Sequence, residues 1–182
     1  MVSTHPESGM QRDDLRRTPA FASRGPKRIA LVVFVVRSVN LEKYAEAATR
    51  LFGARFERMH GPTVPGADDQ IDVFLDYDCG IELIAPLGAD SANAADLTKF
   101  LDQHGEGIFA LVYQVDDLDR SLASAKAEGY PVAESVLNTN ADARRAYVAS
   151  YTKRISDIQE VHVGPFIGLE VIFGDIRGVG ES

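Results

Sequence analysis

The sequence has few of the features that mark secreted, membrane-spanning or nucleic-acid-binding proteins. It has one cysteine, Cys79, in 182 residues, which excludes an internal disulfide and fits a reducing compartment. Its longest apolar run, Ile29 to Val36, is far shorter than the roughly 20 residues that a membrane helix needs. The net charge of −8 argues against nucleic acid and anionic membranes as partners. The first residues, MVSTHPESGMQRDD, lack the apolar core of a signal peptide, so we expect a cytoplasmic protein.

What remains is the composition of an ordinary globular chain, with 45% hydrophobic and 25% charged residues. Residues 1–27 carry no apolar periodicity. The patterns predict a flexible arm over residues 1–27, a first module over 28–88, a connecting helix over 89–105, a second module over 106–176 and a tail over 177–182.

The first module reads strand, helix and then three strands. Ile29–Val36 is a buried strand, and Asn40 is placed to cap a helix that Gly53 ends. Strands are then predicted over Ala54–Met59, Ile71–Tyr77 and Gly80–Pro86. Ser91 begins the connecting helix, which ends at Gly105.

The same order restarts at residue 108. The pattern predicts a strand over Ile108–Val115, a helix capped by Asp116 or Asp117, and strands over Tyr130–Leu137 and Gly168–Phe173. Residues 138–167 stay ambiguous. Ala141–Tyr151 fits a helix or, in part, a strand, and Val161–Val163 fits a strand.

An internal repeat indicates how these elements are arranged. The closing strands of the halves read Gly80-Ile-Glu-Leu-Ile and Gly168-Leu-Glu-Val-Ile, which implies duplication with pseudo-twofold symmetry. We therefore predict an α+β fold in which two tandem βαβββ modules form one cupped mixed sheet. The second half carries roughly a dozen extra residues inside the ambiguous stretch, where insertions often lie near a site.

The repeated glutamates, Glu82 and Glu170, are the first candidate site residues. Side chains alternate along a strand, so Glu82 and Ile84 face away from Ile81 and Leu83. A carboxylate on an apolar strand must be paired, protonated or bound to a cation if it is buried. Two such groups in one cup suit a divalent metal or a general acid/base pair; the alternative is that both face solvent.

Over residues 28–176 the chain resembles the vicinal oxygen chelate superfamily, also called the glyoxalase/bleomycin-resistance fold. The segments GIELIAPLGADS, KFLDQHGEGI and VDDLDRSLASAKAEG are similar to those of methylmalonyl-CoA epimerases and their relatives. The resemblance implies paired βαβββ modules, frequent homodimers, and one divalent metal held by a His on the first strand and a Glu or Gln on the last strand of each module. Glu82 and Glu170 match the last-strand ligands.

The histidine ligands do not match. Arg28–Val36 has no histidine, and the family's G-I-H-H is Gly107-Ile-Phe-Ala110 here. The prediction about a metal therefore stays open between one divalent ion (Mg, Mn, Zn or similar) on Glu82 and Glu170 and no metal.

Five further residues are candidates for contact with a small molecule. His162 and His60 are candidate replacements for the missing imidazoles, and Phe109 is placed to narrow the pocket. Tyr113 and Tyr77 offer phenols to a substrate carbonyl, or else pack in the core. We expect a small-molecule ligand and no nucleic acid or membrane partner.

Three functions fit these residues. The first is an isomerase, epimerase or lyase that transfers protons next to a carbonyl of a small organic or acyl-CoA substrate, with Glu82 and Glu170 as the catalytic groups. The second is a metal-free binding or sequestration protein of the drug-resistance type. The third is a structural dimer with a vestigial cup.

Overall fold

The computed structural model describes residues 28–60, 70–88, 91–151 and 154–180, so the predicted arm, residues 1–27, lies outside the described residues. The strands are β1 (Arg28–Val35), β2 (Glu57–His60), β3 (Ile71–Asp76), β4 (Ile81–Pro86), β5 (Gly107–Gln114), β6 (Ala133–Glu134), β7 (Ile155–Phe166) and β8 (Leu169–Gly178). The helices are α1 (Ser38–Phe52), α2 (Ala92–His104), α3 (Leu118–Ala127), α4 (Val136–Thr139) and α5 (Ala141–Tyr151).

The strands form one curled mixed sheet in the order β2-β3-β4-β1-β5-β8-β7-β6. Each module places its last strand parallel to its first, as β4 beside β1 and β8 beside β5. The antiparallel pair of β1 and β5 joins the modules at the centre of the sheet. The predicted duplication is thus present, and the modules pair within a single chain.

The two faces of the sheet carry different cores. On the outer face, α1 packs on the first module through Leu41, Ala45 and Leu83, and α3 packs on the second module through Leu118 and Leu122. On the inner face, a single core cluster draws on both modules and on α2, α4 and α5. Successive side chains of a strand point to opposite faces of the sheet, so the neighbours of an inward-facing residue contribute to the outer core.

The ambiguous stretch of the sequence resolves into a helical insertion and a long strand. Ala141–Tyr151 is helix α5, and Val161–Val163 lies within the twelve-residue strand β7. Ala143 and Tyr147 stand one turn apart on α5 and are both buried in the inner core with Leu137 of α4. The inserted helices therefore pack on the inner face of the sheet, in the same cluster as its strands.

Several predicted boundaries are wrong. Strand β2 begins at Glu57 rather than at Ala54. Only Ala133–Glu134 of the predicted Tyr130–Leu137 strand pairs with β7, because the backbone N–H groups of Asn138 and Thr139 bond to the Ser135 carbonyl and start α4. Strand β8 runs past Phe173 to Gly178, since the long β7 continues to pair with it.

The predicted cap of α1 is also wrong. The helix begins at Ser38, and Asn40 lies inside it. Glu106 of the second module takes the capping role: its carboxylate accepts hydrogen bonds from the backbone N–H of Arg37 at 2.8 Å, the side-chain amide of Asn40 at 2.9 Å and the hydroxyl of Tyr44 at 2.9 Å. A carboxylate at a helix N-terminus is also favoured by the helix dipole. Burial alone would raise the pKa of Glu106, but these bonds hold it below its usual range.

Other predicted helix ends are confirmed. Ser91 caps α2 by accepting from the Ala94 N–H, and Asp117, rather than Asp116, caps α3 by accepting from the Arg120 N–H. No helix in the part of the chain that the structure describes is long and apolar enough to cross a membrane.

Candidate functional site

The inner face of the sheet encloses a cavity of about 630 Å³ between the strands and helix α2. This volume lies in the range of small-molecule sites. The polar lining residues are Glu82, Asn93, Asp96, Lys99, Gln103, His104, Glu160, His162 and Glu170. Most of the other lining side chains are apolar, so the cavity combines an apolar body with a limited set of polar groups.

Glu82 and Glu170 occupy the two ends of one row across the sheet. The strand register pairs Glu82 with Val33, Val33 with Ala110, and Ala110 with Glu170. All four residues line the cavity. The sheet therefore brings both predicted glutamates to the cup, while Ile81 packs against the α1 side and Leu83 is buried there.

This row explains what has replaced the missing imidazoles. Val33 and Ala110 stand between the glutamates, on the first strands of the two modules, where the resemblance places the histidine ligands. Neither side chain has an atom that can bind a metal ion. Across residues 28–60, 70–88, 91–151 and 154–180, no group of three or more His, Cys, Asp or Glu side chains is placed to hold one. The residues present therefore do not fit the family's metal.

Glu82 is the most strongly perturbed carboxyl group of the cup. Burial raises the pKa of Glu82 to about 8, and the nearby charge of Glu160 contributes to the rise. In the described structure, neither a hydrogen bond nor an ion pair reaches the carboxyl groups of Glu82, Glu160 or Glu170, and their oxygens stay accessible from the cavity. Near neutral pH Glu82 is therefore mostly protonated and open to a ligand.

Glu160 is a site residue that the sequence interpretation missed. It lies on β7 and lines the same cavity, and burial raises the pKa of its carboxyl group to about 7. A usable signal was present: Val161 and Val163 alternate as apolar residues of a strand, so Glu160 shares the opposite face with His162. The curl of the sheet brings β7 close enough to β4 for Glu160 to influence Glu82.

His162 lines the cavity two residues beyond Glu160. Burial lowers the pKa of His162, and the charge of Glu170 opposes that shift. The imidazole is therefore held mainly neutral near pH 7, with one ring N–H available to donate a hydrogen bond.

Phe109 also lies in the cavity wall. The register of β5 skips this residue, since Val33 pairs with Ala110 and Phe34 pairs with Ile108. The resulting bulge turns Phe109 into the cup together with Ala110. Its ring meets Phe100 of α2 edge to face, with 5.3 Å between centroids, so the two rings form an aromatic wall.

The other predicted contacts do not gather at the cup. Tyr113 packs on the outer face with the α3 cluster, because it falls on the opposite side of β5 from Val112. Tyr77 lines a separate hollow beside Arg28 and Arg154. The backbone of His60 pairs with Asp72 on the outer part of the sheet, and its side chain lies outside the described part of the chain.

The cavity thus holds two carboxyl groups whose pKa values lie near 7 and 8, two further carboxyl groups, those of Glu170 and Asp96, and the imidazoles of His162 and His104. Close to neutral pH, one carboxyl group of such a pair can hold a proton while another is ionised. That combination is what general acid/base catalysis requires.

The comparison with known proteins identifies the same fold. The family model described as "Glyoxalase/Bleomycin resistance protein/Dioxygenase superfamily" matches residues 31–148. A methylmalonyl-CoA epimerase structure is similar over 82% of this chain and 95% of its own, with 16% identity and a TM-score of 0.57. No curated protein matches the sequence.

Two more solved structures are similar to this chain at low identity. Methylmalonyl-CoA epimerase from Mycobacterium tuberculosis shares 19% identity, with a TM-score of 0.55 over 85% of this chain and 90% of its own. A methylmalonyl-CoA epimerase in complex with methylmalonyl-CoA and NH4+ shares 17% identity, with a TM-score of 0.55 over 86% of this chain and 99% of its own. At such identities the similarity shows the fold alone.

Proposed function

Because the chain belongs to the glyoxalase/bleomycin resistance protein/dioxygenase superfamily, we propose that it is an isomerase, epimerase or lyase that moves a proton next to a carbonyl group. The observation that carries this proposal is the pair Glu82 and Glu160, whose pKa values of about 8 and about 7 lie at or just above neutral pH within one cavity. Carboxylic acids with ordinary pKa values would both be ionised there, and neither would supply a proton.

The carboxyl groups lie on two walls of the cup. Glu82 lies on β4, while Glu160 and Glu170 lie on β7 and β8. An ionised carboxylate on the second wall removes the proton from the carbon next to the carbonyl, and the electron pair of the C–H bond moves toward the carbonyl oxygen. Protonated Glu82 then returns a proton to the other side of that carbon, so its configuration inverts.

The developing negative charge on the carbonyl oxygen needs a hydrogen-bond donor. Neutral His162 supplies a ring N–H in the same cavity. Lys99, which lines the cavity from α2, supplies an ammonium group at its edge. These two donors act without a metal ion, which suits a row in which Val33 and Ala110 replace the imidazole ligands.

Proton exchange tests this proposal without knowledge of the natural product. The full chain is incubated in deuterium oxide with methylmalonyl-CoA and with a series of small ketones and thioesters, and loss of the α-hydrogen signal is followed by NMR. We expect exchange for at least one compound, and a reduction of about 10²–10⁴-fold in Glu82→Gln.

The matched control is Glu46→Gln, which removes the same charge from the exposed face of α1, where Glu46 pairs with Arg50. Exchange should persist in this variant. Equal exchange rates in Glu82→Gln and in the unaltered protein would remove Glu82 from the mechanism, and an absence of exchange across the series would contradict the enzymatic function.

The aromatic wall favours a second candidate function, the binding and sequestration of a hydrophobic small molecule. Phe109 and Phe100 present an apolar surface in the cavity. A ligand that binds tightly, shows no proton exchange and is recovered unchanged would support this alternative.

A further inference from the structure

The charges that face the cavity are strongly unequal. From the sheet come Glu82 on β4, Glu160 and His162 on β7, and Glu170 on β8, and from α2 come Asp96, Lys99 and His104. In the described lining there are thus four carboxyl groups and one lysine. The lysine belongs to α2, and none of the described sheet residues that line the cavity is a lysine or an arginine.

The cup carboxyl groups differ from the buried acids Asp72 and Asp76 in having no donors among the described residues. Asp72 is held by Arg58 through two hydrogen bonds of 3.1 and 2.7 Å. Asp76 accepts backbone N–H groups of Arg55 at 2.6 Å and Asp78 at 2.9 Å. By contrast, no described residue donates to Glu82, Glu160 or Glu170, although burial strips much of the water from the first two.

A carboxyl group that is partly removed from water and has no donor is costly to ionise, and a donor supplied by a ligand would reduce that cost. Where these acidic groups are ionised, a ligand carboxylate would instead enter beside them and increase their repulsion. A ligand cation would reduce the repulsion between the acidic groups. The rings of Phe109 and Phe100 offer a surface for an apolar body attached to that cation.

We infer that the cup selects small organic cations, namely compounds with an amidinium, guanidinium or ammonium group on a compact apolar body, and rejects carboxylates of the same shape. This inference rests on the proposed function only in placing the ligand in the cup. If the ligand is a substrate, this selectivity predicts a carbonyl compound that carries a basic nitrogen, rather than an anionic acyl-CoA.

Three probes of nearly the same shape test this selectivity: benzamidine, which is cationic, benzamide, which is neutral, and benzoate, which is anionic. Each is titrated into the full chain by calorimetry in a buffer above the pKa of Glu82, about 8. We expect benzamidine to bind at least about tenfold more tightly than benzamide, since a charge-assisted hydrogen bond contributes that much or more. Benzoate should bind more weakly than benzamide.

The Glu82→Gln/Glu160→Gln variant should lose the preference for benzamidine while it keeps the binding of benzamide, and this retained binding shows that the cup is intact. Glu46→Gln on α1 serves as the charge-matched control and should keep the preference. Benzoate binding as tightly as benzamidine, a preference unchanged in the double variant, or no benzamidine binding at millimolar concentration would each overturn the inference. Proton exchange on an anionic thioester would contradict the cation class but leave the proposed reaction standing.

Discussion

At the scale of single residues, Glu82 links the chemistry of the cup to the stability of the fold. The folded protein holds the Glu82 proton up to about pH 8, whereas a glutamate in the unfolded chain releases it near 4.5. Between these values the folded state binds more protons than the unfolded state. The free energy of unfolding therefore falls as the pH rises through this window, and it levels off above it.

Glu82→Gln should remove this dependence. Glutamine keeps the shape of the protonated side chain and cannot ionise, so the variant should be more stable than the unaltered protein at pH 8, by on the order of 3 kcal/mol, and nearly equal in stability below pH 5. Urea unfolding between these pH values, followed by circular dichroism, measures the difference. If the stability of Glu82→Gln and of the unaltered protein changed with pH in the same way, Glu82 would ionise normally. The control Glu46→Gln should show the same pH dependence of stability as the unaltered protein.

The candidate residues show which features of the site a sequence can indicate. Glu82 and Glu170 were found because duplication repeated them in matching text. Glu160 was missed because β7 lay in a stretch whose helix or strand character was undecided. Tyr113 stayed open between the cavity and the core because an apolar strand with both faces buried gives no clue to which face lines a cavity.

At the scale of elements, nearby residues determine some helix and strand ends, and residues distant in the sequence determine others. The cap of α2 could be predicted because Ser91 bonds to a backbone N–H three residues away. The start of α1 could not, because its capping carboxylate comes from Glu106, 69 residues further along the chain than Arg37. The extension of β8 likewise depends on its partner β7 rather than on its own residues.

The row of residues across β4, β1, β5 and β8 leads to a prediction about metal binding. Val33→His together with Ala110→His would place two imidazoles between Glu82 and Glu170 in the register that the strands define. We expect this variant to bind Co²⁺ or Zn²⁺ at about one ion per chain, since imidazole nitrogen suits these metals, and the unaltered protein to bind them much more weakly.

Absorption spectra of Co²⁺ titrations provide the measurement, with circular dichroism to show that the variant is folded. A third change, Glu82→Gln, should weaken the introduced site by removing one ligand. Stoichiometric Co²⁺ binding by the unaltered protein would contradict the conclusion that its donor set does not fit a metal. A folded double-histidine variant without Co²⁺ absorption would instead show that the row is not aligned as the register indicates.

At the scale of the whole molecule, the two modules share the core that forms the cup. Leu31 and Val33 of β1 lie in the same inner cluster as Ala110 and Val112 of β5, whereas the outer clusters beneath α1 and α3 each belong to one module. Separating the modules would expose both the inner cluster and the unpaired edges of β1 and β5. Neither module therefore has a complete core of its own.

The chain should consequently unfold in one cooperative step despite its duplicated architecture. Urea transitions followed by far-ultraviolet circular dichroism and by tyrosine fluorescence should coincide. Val112→Ala, which removes a fully buried side chain from the shared cluster, should shift the whole transition to lower urea rather than split it, with a loss of about 1–3 kcal/mol. Two separated transitions would mean that the modules fold independently. A single transition would mean that the cup, its carboxyl groups and their pKa values exist only while both modules remain paired, so that binding at the site and stability of the fold must respond together to pH.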